Sequence, residues 1–420
     1  MQSENNEIFC DFDPAAITLA QAEQVILQAT QTVAETEIVA IRAALGRVLR
    51  RDAVSLVDNP PNDNSAMDGY GVRVADCSSS DSTKLKVIGQ SFAGAPFAGK
   101  ICAGEAIRIM TGAKIPAGVD AVVMQEQTDF EADTQTVTIK AQVKLGQNIR
   151  LQGEDITTGQ AVLKAGRRLT PACIGVLATM GLTEVEVSRK INVAVLSTGD
   201  ELQSVGSALK EGNIYDSNRY SLHALLNDPR FNIIEKGVLN DEKSVIEQAF
   251  LQTASYADVV ITTGGVSVGE ADWIKDCVTQ TGELIFWKAA IKPGRPITFG
   301  RMGKALFFGL PGNPVSVMIT FEKFAYLALQ KLAGQVIERP LRLSAKLLAP
   351  LKKRPGRCEF QRGVMRYNDK GELCVQKTGD QGSGILSSMA SANCLIVLGS
   401  EETGKAAGDW VCVELFSTKI

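Results

Sequence analysis

The string Thr262-Thr-Gly-Gly-Val-Ser-Val-Gly-Glu-Ala-Asp272 follows an apolar, strand-like run and precedes a helical pattern. Two adjacent glycines let backbone N–H groups turn toward an anion, and a helix N-terminus adds partial positive charge. Ser267 supplies a hydroxyl, and Asp272 stands where it could cap the helix or hold a cation. A plain turn explains Gly264-Gly265 alone, and an N-cap explains Asp272 alone; the whole string points to anion binding. A second string, Leu196-Ser-Thr-Gly-Asp-Glu-Leu202, also follows an apolar run. Its adjacent acids Asp200 and Glu201 suit Mg²⁺, a hard cation that takes oxygen ligands, although a solvated turn has the same composition. A third, Trp287-Lys-Ala-Ala-Ile-Lys-Pro-Gly-Arg-Pro296, gathers Lys288, Lys292 and Arg295 between stiffening prolines. Such a cluster suits phosphate or another oxyanion; a solvated basic loop is the alternative.

Weaker signals accompany these three. Gly309-Leu-Pro-Gly-Asn-Pro-Val-Ser316 is a rigid turn that puts Ser316 in the first turn of a helix, beside free N–H groups. Pro60-Pro-Asn-Asp-Asn-Ser-Ala-Met-Asp-Gly-Tyr70 is dense in turn residues, and Gly153-Glu-Asp155 adds two acids. Arg357, Arg362 and the loop Gly379-Asp-Gln-Gly-Ser383 could supply a second anion site. Each of these alone reads as structural.

Composition removes other chemistries. The single histidine, His223, excludes a histidine metal cluster, and its Ser221-Leu-His-Ala-Leu-Leu setting reads as a helix surface or packing position. Nine cysteines occur with no C-x-x-C, so zinc-ribbon and thioredoxin readings fail, and scattered free thiols fit a reducing cytoplasm. Lys and Arg total 44 against 47 acids, which leaves no global basic field for nucleic acid or an anionic membrane. Neither a signal peptide nor an apolar run long enough to span a membrane is seen. At 45% hydrophobic and 22% charged residues the chain is globular, and 420 residues suggest about three domains.

The elements that must position these residues follow from periodicity. Thr18-Leu-Ala-Gln21 is a capping box ahead of Ala22, Val25, Ile26 and Ala29 at helical spacing. A short helix is expected over 40–49. From 51 to 150 short β runs are punctuated by Gly, Pro and Asp, and Thr136-Val-Thr-Ile-Lys140 alternates as a half-exposed strand does. This β unit reads as an insertion, because residues 151–187, with a helix from Pro171 to Met180, could pack back on the N-terminal helix. From 190 to 332 buried strands alternate with helices near 217–227, 242–253 and 272–281, and a last helix starts at Pro314. The glycine-bearing strings follow these strands, where ligands bind in open α/β sheets. Residues 340–418 return to β texture and suit a small barrel or sandwich.

Taken together, seven strings resemble the MoeA family of molybdopterin molybdenumtransferases, to which the E domain of gephyrin-like proteins is also similar. They are Asp63-Asn-Ser-Ala-Met-Asp-Gly-Tyr, Met110-Thr-Gly-Ala, Gly153-Glu-Asp, Ser197-Thr-Gly-Asp-Glu-Leu, Thr263-Gly-Gly-Val-Ser-Val-Gly-Glu-Ala-Asp, Ile291-Lys-Pro-Gly and Leu310-Pro-Gly-Asn-Pro-Val-Ser. The resemblance spans almost the whole chain and implies a multidomain α/β plus β fold. That fold comprises a mixed N-terminal domain (8–50 and 147–187), an inserted β domain (51–146), a three-layer α/β domain with a parallel-rich sheet (188–333) and a C-terminal barrel-like β domain (334–420). It implies molybdenum insertion from molybdate into adenylylated molybdopterin, with Mg²⁺-dependent release of AMP. It also implies a cytoplasmic homodimer, whose site lies between the α/β domain of one subunit and the C-terminal β domain of the other. Partner enzymes of the same biosynthesis are implied; nucleic acid and membrane are not.

Residue roles follow from the resemblance. Gly264, Gly265 and Ser267 would cradle phosphate or pterin groups. Glu201, Asp241 and Asp272 would hold Mg²⁺ or position water. Lys288, Lys292, Arg295 and Ser316 would bind the oxyanion, and Arg362 and Ser383 would complete that pocket. Asp63, Thr111 and Asp155 match acidic or hydroxyl positions in the family's loops. Two alternatives stand beside this reading: adenylyl transfer to molybdopterin, and a non-catalytic dimeric scaffold.

Overall fold

The computed structural model describes residues 13–77, 82–140, 142–239, 242–264 and 271–416, apart from the side chains of 271–273 and 275. The first helix, Leu19–Ala29, starts at the expected capping box. The Gln21 N–H donates to Thr18 Oγ1 (3.3 Å), and the Thr18 N–H donates to Gln21 Oε1 (3.0 Å). The short helix expected over 40–49 does not form. Thr36–Ala40 is instead a strand paired antiparallel with Glu184–Ser188, and only Ile41–Ala43 makes a helical turn. The β-branched residues of Thr36-Glu-Ile-Val favour the pleated pairing.

The chain then leaves and re-enters this region through a neck of two short pairings, Ala53–Val54 with Ala161–Leu163 and Asn64–Ser65 with Ile149–Arg150. Between the two passes lies a six-stranded sheet, a half-barrel. Its order is Ala121–Met124, Gly69–Val72, Glu105–Ile109, Thr83–Ser91, Thr136–Ile139, Thr128–Glu131. Val137 and Ile139 face its core while Thr136 and Thr138 do not, as the two-residue period requires.

The α/β sheet has the order Phe231–Leu239, Ile191–Thr198, Val259–Thr263, Ala305–Leu310, Pro296–Met302, Gly282–Lys288. The first four strands are parallel, Pro296–Met302 runs antiparallel to them, and Gly282–Lys288 pairs antiparallel with Pro296–Met302. Val193, Val195, Val259 and Ile261 face one side, against helices Leu19–Ala29, Ser217–Leu226 and the long helix from Pro314 to Leu332. Ala194, Leu196 and Val260 face the other, against Lys243–Ala254 and Ala271–Thr281. Both faces are covered, so these strands read as continuous apolar runs.

The C-terminal sheet closes into a five-stranded barrel. Cys358–Tyr367 pairs with Leu373–Lys377, which pairs with Arg342–Leu347, then Trp410–Leu415, then Cys394–Leu398, and back to Cys358–Tyr367. A sixth, two-residue strand, Ile291–Lys292, joins Cys358–Glu359 in parallel and ties the barrel to the α/β sheet. Among the described residues no helix is long and apolar enough to cross a membrane.

Candidate active site

Parallel registry aligns the carboxyl ends of three strands. Ser197 lies beside Thr263, and Thr263 beside Leu310. The turns that follow open a cleft of about 630 Å³. Thr198, Glu201, Asp216, Asn218, Thr263, Gly264 and Pro311 are among the residues that line it. Gly264 has φ +86°, and a Cβ there would sit 2.2 Å from the Thr198 carbonyl oxygen, so only glycine fits this close approach. The Glu201 carboxylate is exposed to the cleft. Asp241, Gly265 and Ser267 lie outside the described residues, as does the side chain of Asp272, whose backbone opens the helix Ala271–Thr281. Among the described residues no group of three His, Cys, Asp or Glu is placed to hold a metal.

A second pocket of about 350 Å³ shares Pro296, Pro311 and Asn313 with the cleft. Lys292, Arg295, Ser316, Arg357, Arg362 and Ser383 all line it. The chain's own barrel contributes Arg362 and Ser383 to this pocket, beside Lys292, Arg295 and Ser316 of the α/β region. Two backbone links explain why. Ile291–Lys292 pairs with Cys358–Glu359, and the Val315 N–H donates to the Ser383 carbonyl (3.1 Å).

The cations here differ in availability. Lys292 is half exposed, with its Nζ 3.2 Å from Glu359 Oε1. Arg362 is 1% exposed, and its guanidinium is spent on the loop beside it. Nε donates to Ser388 Oγ (2.9 Å), Nη1 to the Gln381 carbonyl (3.0 Å), and Nη2 to the Asp380 and Gly382 carbonyls (3.3 and 2.9 Å). Burial pulls its pKa below the usual arginine value, opposed by Asp380. Arg362 therefore shapes the loop that carries Ser383, and its donors face inward.

Lys288 lines neither pocket; its Nζ stands 3.3 Å from an Asp13 oxygen. Arg295 bonds the same carboxylate. The Arg295 guanidinium, then the Ala15 N–H, hold the Asp13 carboxyl down at about 2 from the ordinary 3.8, with burial opposing and Lys288 assisting. The unfolded chain takes up this proton first as pH falls. The stabilisation is therefore complete above pH 3.8 and is lost as pH drops through about 2. Denaturant unfolding at pH 5 and at pH 2.5 should show Asp13→Asn less stable than the parent at pH 5, with the gap narrowing at pH 2.5. A gap independent of pH would contradict the pairing.

Asp63, Thr111 and Asp155 line neither pocket. They sit on loops around the neck of the half-barrel. Asp63 accepts from the Gln152 N–H (2.8 Å), and Asp155 from Asn59 Nδ2 (2.9 Å). Thr111 donates through N–H and Oγ1 to Asp68 (2.7 and 2.6 Å), which holds the Asp68 carboxyl below the usual range. His223 is an exposed helix residue with Nδ1 2.8 Å from Glu235 Oε1, as its sequence setting suggests.

Three cleft residues were not singled out by sequence reasoning. Asp216 and Asn218 lie at the start of helix Ser217–Leu226, where an aspartate reads as an ordinary cap, and Thr263 reads as a strand end. Only their unpaired oxygens mark them as different.

The chain is similar to known proteins along most of its length. Residues 17–181 match the family described as "MoeA N-terminal region (domain I and II)". Residues 194–331 match "Probable molybdopterin binding domain", and 344–416 match "MoeA C-terminal region (domain IV)". A molybdopterin molybdenumtransferase of Haemophilus influenzae is 44% identical over 402 residues, covering 96% of this chain and 99% of the relative. One from Staphylococcus aureus (strain MSSA476) is 35% identical over 384 residues, covering 90% of each. The crystal structure of the molybdopterin biosynthesis moeA protein from Pyrococcus horikoshii OT3 superposes with a TM-score of 0.82 at 31% identity, covering 96% of this chain and all of that one. With this identity sustained over nearly its full length, the chain belongs to the MoeA family.

Proposed function

We propose that the chain is a molybdopterin molybdenumtransferase, inserting molybdenum from molybdate into adenylylated molybdopterin with release of AMP. The observation that carries this reading is the adjacency of two unlike pockets in one chain. The larger cleft lies at strand ends, where nucleotides bind, and the smaller is walled by Lys292 and Arg295 and shares three residues with it. A nucleotide in the first would present its reacting end to an oxyanion in the second. Lys292 is the cation best placed to neutralise molybdate, Ser316 and Ser383 border it, and Arg362 keeps the Ser383 loop in position.

The carboxylate of Glu201 fits Mg²⁺, because the cleft lining offers oxygen donors and neither histidine nor cysteine; Asp241 and Asp272 are the further ligands that the family resemblance implies. When bound, the ion would screen phosphate from these acids. Apolar clusters of their own in the 44–53 and 156–187 pairing, the half-barrel, one face of the α/β sheet and the barrel support a four-domain division at 8–50 with 147–187, 51–146, 188–333 and 334–420, although helix Leu19–Ala29 packs in the α/β core and not on 151–187. The working unit is a cytoplasmic homodimer, and Asp63, Thr111 and Asp155 serve its loops.

The test is AMP release from adenylylated molybdopterin by the full chain in Mg²⁺, with and without molybdate. Molybdate-dependent release is expected. Glu201→Ala should slow it about 100-fold or more and, being exposed, change unfolding free energy by no more than about 0.5 kcal/mol. Transfer of AMP from ATP to molybdopterin with release of pyrophosphate would identify the earlier step instead. A folded chain inert in both assays would leave the scaffold reading.

A further inference from the structure

Three residues that line the cleft each hold an enclosed side-chain oxygen without a hydrogen bond among the described residues: Asp216 Oδ2, Asn218 Oδ1 and Thr263 Oγ1. Their residues are 1%, 8% and 1% exposed. Buried acceptors left unpaired are costly, so such a cluster in a cleft wall points to a ligand that supplies the missing donors. The orientation of two of these groups is decided by what their other atoms do. Asp216 caps helix Ser217–Leu226, with Oδ1 accepting from the Arg219 N–H (3.1 Å). Its Oδ2 is left over, and the nearest cation, Arg219 Nε, stands 3.7 Å away. Asn218 gives Nδ2 to the Gly312 carbonyl (2.7 Å). A carbonyl accepts only from the NH₂ side of an amide, so Asn218 is left with an acceptor.

Asp216 and Asn218, two residues apart at one helix start and both lining the cleft, are each left with an acceptor, and a ligand reaching both would meet an acceptor edge. Phosphate is repelled by that edge. Adenine alternates donor and acceptor on each of its faces and satisfies it poorly. A 2-amino-4-oxopyrimidine ring, the end group of a pterin, presents its exocyclic NH₂ and N3–H as adjacent donors. We propose that Asp216 and Asn218 form the subsite for the aminopyrimidinone end of the pterin and select pterins over pteridines that lack the 2-amino donor. This rests on the molybdopterin reading above and assigns one end of the substrate within it. The phosphate end then lies toward Gly264, where a backbone turn faces the cleft without a side chain.

Asp216→Asn tests the assignment with little structural cost, since asparagine caps helices as well as aspartate does. Its oxygen stays on the Arg219 N–H, and its NH₂ takes the place of Oδ2. A donor now meets a donor. Binding is measured by fluorescence titration of the full chain, in metal-free buffer, with pterin-6-carboxylate and with lumazine-6-carboxylate, which carries a 2-oxo acceptor. The parent should prefer the pterin. Asp216→Asn should weaken the pterin roughly 30-fold and bind the lumazine as well as the parent does or better. Equal losses for both probes would mean a merely structural role and overturn the proposal. Unchanged pterin affinity with reduced AMP release would place Asp216 at the phosphate or metal end and also overturn it. A parent chain that binds neither probe would sink the molybdopterin reading itself.

Discussion

Arg362→Ala is expected to lower the unfolding free energy by about 4 kcal/mol, measured by urea denaturation. The side chain is among the largest fully buried in the protein, and four of its N–H groups are spent on one loop and the neighbouring helix. Truncation removes those bonds, leaves the Gln381 and Gly382 carbonyls short of a donor, and opens a cavity. A buried acceptor stripped of its partner costs about 1–3 kcal/mol, and the cavity adds to it. The change should also reach the basic pocket. The Ser383 carbonyl holds the Val315 N–H, so a slack 380–383 loop loosens both the pocket wall and the start of the helix that bears Ser316. The molybdate concentration for half-maximal AMP release should rise at least about tenfold. Arg362→Lys should rescue little, because an ammonium cannot fork to three carbonyls. Stability within about 1 kcal/mol of the parent would show that these bonds matter less than their geometry implies.

Gly264→Ala should have the largest effect on activity. The added methyl would lie 2.2 Å from the Thr198 carbonyl oxygen, and φ +86° is a conformation that L residues occupy at a cost of about 1–3 kcal/mol. The clashing atom is strand backbone and cannot swing away, so the turn must move. That displaces the strand-end wall on which phosphate groups would rest, and AMP release should fall about 100-fold, as misplacements near 1 Å produce. Gly212→Ala is the control. Its φ is +81°, but nothing lies within 4 Å of the added Cβ. It should carry a similar backbone cost with activity within about twofold of the parent. Similar activities for the two variants would falsify the close-approach argument.

The cores and their elements were largely legible because burial imposes periodicity on local sequence. Ile191–Thr198 and Val259–Thr263 are covered on both faces and read as unbroken apolar runs. Thr136–Ile139 is covered on one and alternates. The helix expected over 40–49 did not form, and strand Thr36–Ala40 went unread before it, because a five-residue run gives no decisive period and its partner, Glu184–Ser188, is far along the chain. Lys292, Arg295, Ser316, Arg362 and Ser383 were legible as pocket residues because their strings bear turn residues and charge together. Asp216 was not, since a capped helix and a ligand site use the same residue there.

The sequence by itself determined where each reactive turn falls. Glycines, prolines and hydroxyls set backbone chemistry over a few residues, and buried strands announce the ends on which those turns stand. Which turns share a pocket was decided by the tertiary structure alone. The barrel reaches Lys292 because two residues, Ile291 and Lys292, add a strand to its edge. Asp13 takes Lys288 and, across a separation of 282 residues, Arg295. Arg362, a cation on paper, turns its donors to backbone carbonyls and becomes a support. Charge and hydrogen bonding act over a few ångströms, so a side chain's role depends on neighbours that packing, and not spacing, brings to it.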